Sequence, residues 1–182
     1  MPQQVLAIYV CPDKGLDMKR IDSVKAIKGI GLEGDRYALN KGVYSKSKPK
    51  IRHVSLIAIE AIETANKGLK KPFYPSDTRR QIVTEGIDLN SLIGKEFKVG
   101  DVIMRGTELC DPCRRPSILS KKPGFETAFF GRGGLRAEVL SSGVICTGDP
   151  INLIHKESLL FSEEETEKMK DRKMLDAFGP NP

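Results

Sequence analysis

Two cysteines lie close together in Leu109-Cys-Asp-Pro-Cys-Arg-Arg-Pro, and the second, Cys113, is followed at once by Arg114 and Arg115. Neighbouring guanidinium groups favour the thiolate, the form of cysteine that attacks electrophiles and binds soft metals. Cys113 is therefore the candidate nucleophile, with Cys110 as a candidate partner. Both could equally be small buried hydrophobes, since free cysteine is among the most buried residue types. A thioredoxin-like dithiol is a further reading, but there the first cysteine opens a helix after a βαβ-type strand, whereas Pro112 and Pro116 imply a loop. A structural zinc site needs two more ligands, and Cys11, Cys146, His53 and His155 are each isolated in the sequence.

Arginines at glycine-marked turns and strand ends form the second set. Gly29-Ile-Gly-Leu-Glu-Gly-Asp-Arg-Tyr contains Gly34, Asp35 and Arg36; it is not a P-loop, because no Gly-Lys-Ser/Thr follows, and no helix pattern opens after it. Its glycines would let the backbone approach a ligand while Arg36 offers a bidentate fork to phosphate. The plainer alternative is an ordinary turn with Asp35 and Arg36 paired to neighbours. Arg79-Arg80 opens a strand, and Gly131-Arg-Gly-Gly-Leu-Arg brings Arg132 and Arg136 to another. Arg36, Arg80, Arg132 and Arg136 are expected to meet Cys113 in one concave pocket at a barrel end, where loops carry function. Scattered over a basic surface, the same arginines would only be solvated.

The elements that would position these residues are short. Val5 to Val10, Ser23 to Ile27, Val54 to Ile57, Gln81 to Thr84, Val102 to Leu109, Leu135 to Leu140 and Ile151 to Ile154 are apolar or β-branched runs, most of them bounded by Gly, Pro or Asp. That pattern suits a sandwich or barrel. Gly-Asp stands between apolar runs in Phe97-Lys-Val-Gly-Asp-Val-Ile and again in Ile145-Cys-Thr-Gly-Asp-Pro-Ile, predicting two tight turns. Only two stretches read as helices. Residues 59 to 67 carry apolar side chains at Ile59, Ile62 and Ala65 and stop at Gly68. Residues 162 to 177 begin with a Ser162–Glu165 capping box and have a thin apolar face, which predicts a peripheral helix suited to a partner or a second copy. The expected organisation is a β-barrel domain over residues 1–155 and a charged helical tail over 156–182.

The 182 residues carry net charge +6, and the segment from Lys156 onward holds five basic and seven acidic residues, leaving 25 basic against 17 acidic, or +8, for the body. Such a body attracts anions, either a phosphate-bearing small molecule or a nucleic acid. No apolar run is long enough to span a bilayer and no secretory leader is evident, so a cytoplasmic protein with free thiols, not a disulfide framework or a membrane partner, is expected. Aromatic residues make up 6% of the chain and tryptophan is absent, which leaves few stacking platforms for unpaired bases. Nucleic acid is therefore the less favoured anion, and a non-enzymatic basic barrel binding RNA or another polyanion is the alternative kept open.

Taken in order, Gly34-Asp-Arg-Tyr, Arg52-His-Val-Ser-Leu-Ile, Arg80-Gln-Ile-Val-Thr-Glu-Gly-Ile-Asp-Leu, Phe97-Lys-Val-Gly-Asp, Leu109-Cys-Asp-Pro-Cys, Gly131-Arg-Gly-Gly-Leu-Arg and Thr147-Gly-Asp-Pro resemble the landmarks of MOSC domains over about residues 4 to 154. The family takes its name from the C-terminal domain of molybdenum cofactor sulfurases. The resemblance implies a mainly β fold, a MOSC-type barrel with a few helices, standing alone in this chain. It also implies a cysteine that carries sulfur as a persulfide, matched by position to Cys113, which would be a metal ligand if molybdenum is bound. Cys110 could resolve that persulfide. The implied cofactor is molybdopterin, held by Gly34, Asp35, Arg36, Arg80, Arg114, Arg132 and Arg136, with a sulfur donor protein as a further partner. Pyridoxal phosphate belongs to a separate aminotransferase-like domain and is not expected here. Stand-alone relatives suggest another activity, molybdenum-cofactor-dependent reduction of N-hydroxylated compounds. One departure is Gln81, where close relatives carry Asn after the arginine.

Overall fold

The computed structural model of the chain describes residues 2–46 and 51–154. The expected helix at 162–177, the tail that contains it, and His155 lie outside the described residues. In chain order the elements are β1 (Gln4–Val10), β2 (Lys19–Ile21), β3 (Ser23–Ile27), β4 (Gly31–Leu32), β5 (Val54–Ala58), α1 (Ile59–Asn66), β6 (Ile82–Glu85), β7 (Glu96–Val99), β8 (Val102–Leu109), α2 (Arg115–Ser120), α3 (Phe125–Ala128), β9 (Leu135–Val139), β10 (Gly143–Cys146) and β11 (Ile151–Leu153).

Eight strands form one sheet in the order β11-β7-β8-β9-β5-β6-β1-β2, and β10-β3-β4 form a second. The large sheet curls until its ends meet. Ile151 N–H donates to the Gln3 carbonyl at 2.8 Å, Val5 N–H donates to Asp149 at 2.9 Å, and Gln4 bridges Pro150, which joins β1 to β11. Pairing is antiparallel except between β5 and β6, whose parallel register puts Leu56 beside Ile82. That pair requires a crossover, and α1 supplies it. The two Gly-Asp turns form as the sequence predicts, with Gly100 at φ 57° and Gly148 at φ 91°.

Alternation along the strands builds two cores. Val5, Leu56, Ile82, Phe97, Met104, Leu135 and Ala137 fill the barrel, while Ala7, Ile57 and Val83 face outward against Ile62, Phe73, Phe125 and Phe129. Strand β5 is buried on both faces for this reason, which is why Val54 to Ile57 reads as an unbroken apolar run. In the outer core Phe125 stacks on Phe129 at 4.2 Å between ring centroids, and Phe73 meets Phe125 edge-on at 5.3 Å. Each fully buried phenylalanine stabilises by roughly 1.5–3 kcal/mol. This cluster anchors α3 and the chain that carries the cysteines.

Helices α2 and α3 correct the expectation that the chain after Cys113 is a plain loop. Pro116 lies in the first turn of α2, where its missing N–H has no intrahelical partner to lose and its fixed φ suits the helix. Both helices are too short to show an apolar period.

Candidate functional site

The C-terminal end of β1 and the N-terminal ends of β5 and β6 open together, as their pairings require, and the antiparallel register of β9 with β5 and β8 sets Arg136 opposite Ser55 and Glu108 beside them. There, a pocket of about 650 Å³, part of it open to solvent, is lined by Arg36, Tyr44, Arg52, Arg80, Cys113 and Arg136, among others.

A buried polar frame sets the back wall. Asp35 is fully buried and spends both oxygens on the protein: Oδ1 accepts from Cys11 N–H at 3.2 Å and Arg36 Nη1 at 3.1 Å, and Oδ2 accepts from Tyr37 N–H at 3.0 Å and Gln81 Nε2 at 2.9 Å. Gln81 Oε1 in turn accepts from Ser55 N–H at 2.9 Å and from the Ser55 hydroxyl. Arg36 Nη2 reaches the Arg79 carbonyl at 2.9 Å. Arg79 sits at φ 64° and pins the loop after β1, donating to the Leu16 carbonyl at 2.5 Å and the Lys14 carbonyl at 3.3 Å. Burial lowers the Arg79 pKa, with the nearby Arg36 charge adding to the shift, while Cys11 opposes it.

The cysteine loop leaves β8 under tight backbone constraint. Cys110 N–H donates to the Gly134 carbonyl at 2.7 Å, and a Cβ at Gly133 would overlap the Cys110 carbonyl, so that position admits only glycine without rearrangement. Cys110 is buried and Cys113 half-buried; Cys11 is buried and Cys146 exposed. Arg136 pairs with Glu108, its cross-strand neighbour, and Arg52 Nε lies 3.8 Å from the same carboxylate. Burial works against the Arg136 charge, but the Cys110 sulfur and the Glu108 carboxylate outweigh it and raise its pKa. Burial also raises the Tyr44 pKa, and the nearby Cys113 adds to the rise.

Of the residues singled out from sequence, Arg36, Arg80, Arg136, Cys110 and Cys113 share this pocket. Arg132 does not: it borders a separate cavity beside Glu60, Gly86 and Asp88, because the Gly131–Gly134 turn carries it away from β9 before the chain enters the sheet. Arg114 does not either. Its side chain is 85% exposed and pairs with Glu126 at 3.5 Å, while the onset of α2 turns Arg115 inward to line the pocket and donate to the Lys14 carbonyl at 2.6 Å. Gly34, at φ 76°, shapes the turn, and Asp35 stands behind the wall with its oxygens committed, so both position Arg36 instead of facing a ligand. Arg52, Arg115 and Tyr44 also line it. Arg52 had a legible signal, since it precedes β5 as Arg80 precedes β6; Tyr44, in a basic stretch without periodicity, had none. Among the described residues there is no group of three or more His, Cys, Asp or Glu side chains that could hold a metal ion.

The family model described as the MOSC domain matches residues 45–152, more than half of the chain. The chain belongs to the MOSC family. No curated protein matches it. Among solved structures, the YuaD protein of Bacillus subtilis aligns with TM-score 0.70 at 20% identity, covering 84% of this chain and 96% of that one. YiiM from Geobacillus stearothermophilus gives 0.65 at 17%, covering 85% and 76%, and YiiM from Escherichia coli gives 0.62 at 16%, covering 85% and 70%. At such identities these likenesses establish the fold, a mainly β MOSC barrel. The family is associated with the molybdenum cofactor. Arg36 and Tyr44 precede the matched segment yet line the same pocket as its cysteines. No helix among the described residues is long and apolar enough to cross a membrane.

Proposed function

We propose that this MOSC protein carries sulfur on Cys113 as a persulfide and passes it to a molybdopterin-class acceptor gripped by the arginines of the pocket. One observation carries the reading: a half-buried thiol opens into a cavity whose other walls present guanidinium groups. The donor set fits an anionic, phosphate-bearing cofactor. Among the described residues Arg80 is held through Nε, which donates to the Gly133 carbonyl at 2.8 Å, and its two terminal nitrogens would offer a fork to phosphate. Arg52, Arg115 and Arg136 line the same pocket and add cationic groups around the sulfur. When bound, the cofactor supplies a metal centre that accepts soft sulfur ligands.

The sulfur chemistry needs no outside oxidant. The Cys113 thiolate attacks the outer sulfur of a donor; a new S–S bond forms, the donor's own S–S bond breaks, and the donor leaves as an anion. In the second half a nucleophilic acceptor takes that outer sulfur and the electron pair returns to Cys113 Sγ. Sγ carries negative charge at the start and the end of the cycle, in a pocket lined by guanidinium groups. Cys110, buried beside Arg136, would act only if the loop opened enough to expose it.

The test is to incubate the protein with thiosulfate, remove the excess and map the peptides by mass spectrometry. One added sulfur atom on the Cys113 peptide is expected, with none on the peptides of Cys11 or Cys146. Sulfur on Cys146 alone, or loading that persists in Cys113→Ser, would overturn the assignment.

A further inference from the structure

The arginines of the cysteine pocket fall into two groups that the fold wires differently. In one, Arg52 and Arg136 lie against the ring of Tyr44, with their Cζ atoms 4.7 Å and 5.8 Å from its centroid. Arg52 Nη1 also donates to the Tyr44 carbonyl at 3.3 Å. Glu108 pairs with both arginines, so their charge is partly neutralised before any ligand arrives. In the other group, Arg79 and Arg115 meet at the Lys14 carbonyl, at 3.3 Å and 2.6 Å, and Arg80 is held by the Gly133 carbonyl at 2.8 Å. A carbonyl orients a guanidinium group and leaves its net charge in place. Among the described residues none of these three pairs with a carboxylate, Asp111 of the same pocket included, and none makes a hydrogen bond or ring contact with Tyr44.

We propose that the ligand lies across this pocket in one direction, its phosphate against Arg79, Arg80 and Arg115 and its planar ring against the wall of Tyr44, Arg52 and Arg136, so that Tyr44 selects for a flat heterocycle. The proposal rests on the molybdopterin-class reading of the acceptor. A phosphate gains most where positive charge is uncompensated, and beside Arg52 and Arg136 it would also meet the Glu108 carboxylate. A flat heterocycle has no such charge to place. It gains instead from planar groups on which to stack, and a phenol ring flanked by two guanidinium groups supplies them. Tyr44 is half-buried, so its ring is partly shielded from water on the protein side while it lines the cavity. Cys113 lines the cavity that both groups share, which sets the sulfur beside a ligand held at two ends.

Inorganic phosphate, neopterin and neopterin monophosphate separate the two ends. Each is titrated into the wild type, Tyr44→Leu, Tyr44→Phe and Arg115→Ala, with thermal melting measured alongside. Tyr44→Leu is expected to weaken both pterins about tenfold, the size of one ring stacked on an aromatic side chain, and to leave inorganic phosphate unchanged. Tyr44→Phe keeps the ring and should leave all three probes unchanged. Arg115→Ala is expected to weaken the two phosphate-bearing probes about tenfold, as for one hydrogen bond to a charged group, and to spare neopterin. Inorganic phosphate weakened by Tyr44→Leu as much as the pterins, or pterins that ignore Tyr44→Leu, overturns the proposal. Should Tyr44→Leu fail to fold, Arg115→Ala still decides: loss of neopterin binding in that variant overturns the proposed direction. If wild-type protein binds neopterin monophosphate no more tightly than inorganic phosphate, the pterin reading falls and the proposal with it, whereas pterin binding indifferent to Tyr44 removes the proposal alone.

Discussion

Arg80 and Arg132 look alike in sequence, each beside a second functional landmark, yet the barrel gives them opposite settings. Arg80 is tied by Nε to the Gly133 carbonyl and lines the cysteine pocket; Arg132 is exposed and borders another cavity. In titrations with a phosphate-bearing pterin, Arg80→Ala is expected to cost ~1.5–3 kcal/mol, the range for a hydrogen bond to a charged group. Arg132→Ala is expected to stay within ~0.5 kcal/mol, as surface substitutions do. Equal losses would place the ligand elsewhere. Asp35 belongs to this scale too, because it neutralises Arg36 where side-chain exposures are 6% for the arginine and 0% for the aspartate. Asp35→Ala leaves a buried guanidinium uncompensated and should lower stability by ~3–5 kcal/mol in urea unfolding. A loss below ~1 kcal/mol would show that water enters the frame.

Among the elements, β5 and β9 are joined at their flanks by His53. Val139 N–H donates to His53 Nδ1 at 3.1 Å, which requires that nitrogen to be unprotonated. Burial lowers the His53 pKa from 6.5, opposed by Glu138. A lowered folded-state pKa means that the unfolded chain binds the proton first as pH falls, so the stabilisation is complete above 6.5 and is lost as pH drops through the folded value. Stability measured between pH ~7.5 and ~5 should therefore fall toward acid, and His53→Gln should flatten that slope. An identical slope in both proteins would assign it to other groups. Elements of this kind were legible in sequence where alternation, length and turn chemistry agreed, as in β1, β3, β5, β8 and α1. The sequence did not show α2 or α3, because one or two turns carry no period and Pro116 reads equally as a helix start or a loop. For the site, cysteines and strand-end arginines could be listed, but the inward choice of Arg115 over Arg114 depends on which face α2 packs, and that is decided by tertiary contact.

For the molecule as a whole, the fold gathers several of the chain's cations at one place. Arg36, Arg79, Arg80 and Arg115 all donate to backbone carbonyls around one barrel end, so much of the positive charge is fixed in a concave site. Closure of β1 onto β11 holds that end in register, and the outer phenylalanine cluster braces the segment between the cysteine loop and β9. The account's central claim is that sulfur resides on Cys113 and moves on to the ligand held by the arginines. It is tested most directly by loading the protein with isotopically labelled sulfur, presenting unlabelled molybdopterin, whose dithiolene thiolate is the nucleophile that takes the outer sulfur, and following the label by mass spectrometry. The account expects the label to leave the Cys113 peptide and appear in the acceptor one for one, with slower transfer in Arg80→Ala and none in Cys113→Ser. Label that stays on the protein, or transfer that proceeds equally in Cys113→Ser, would contradict it.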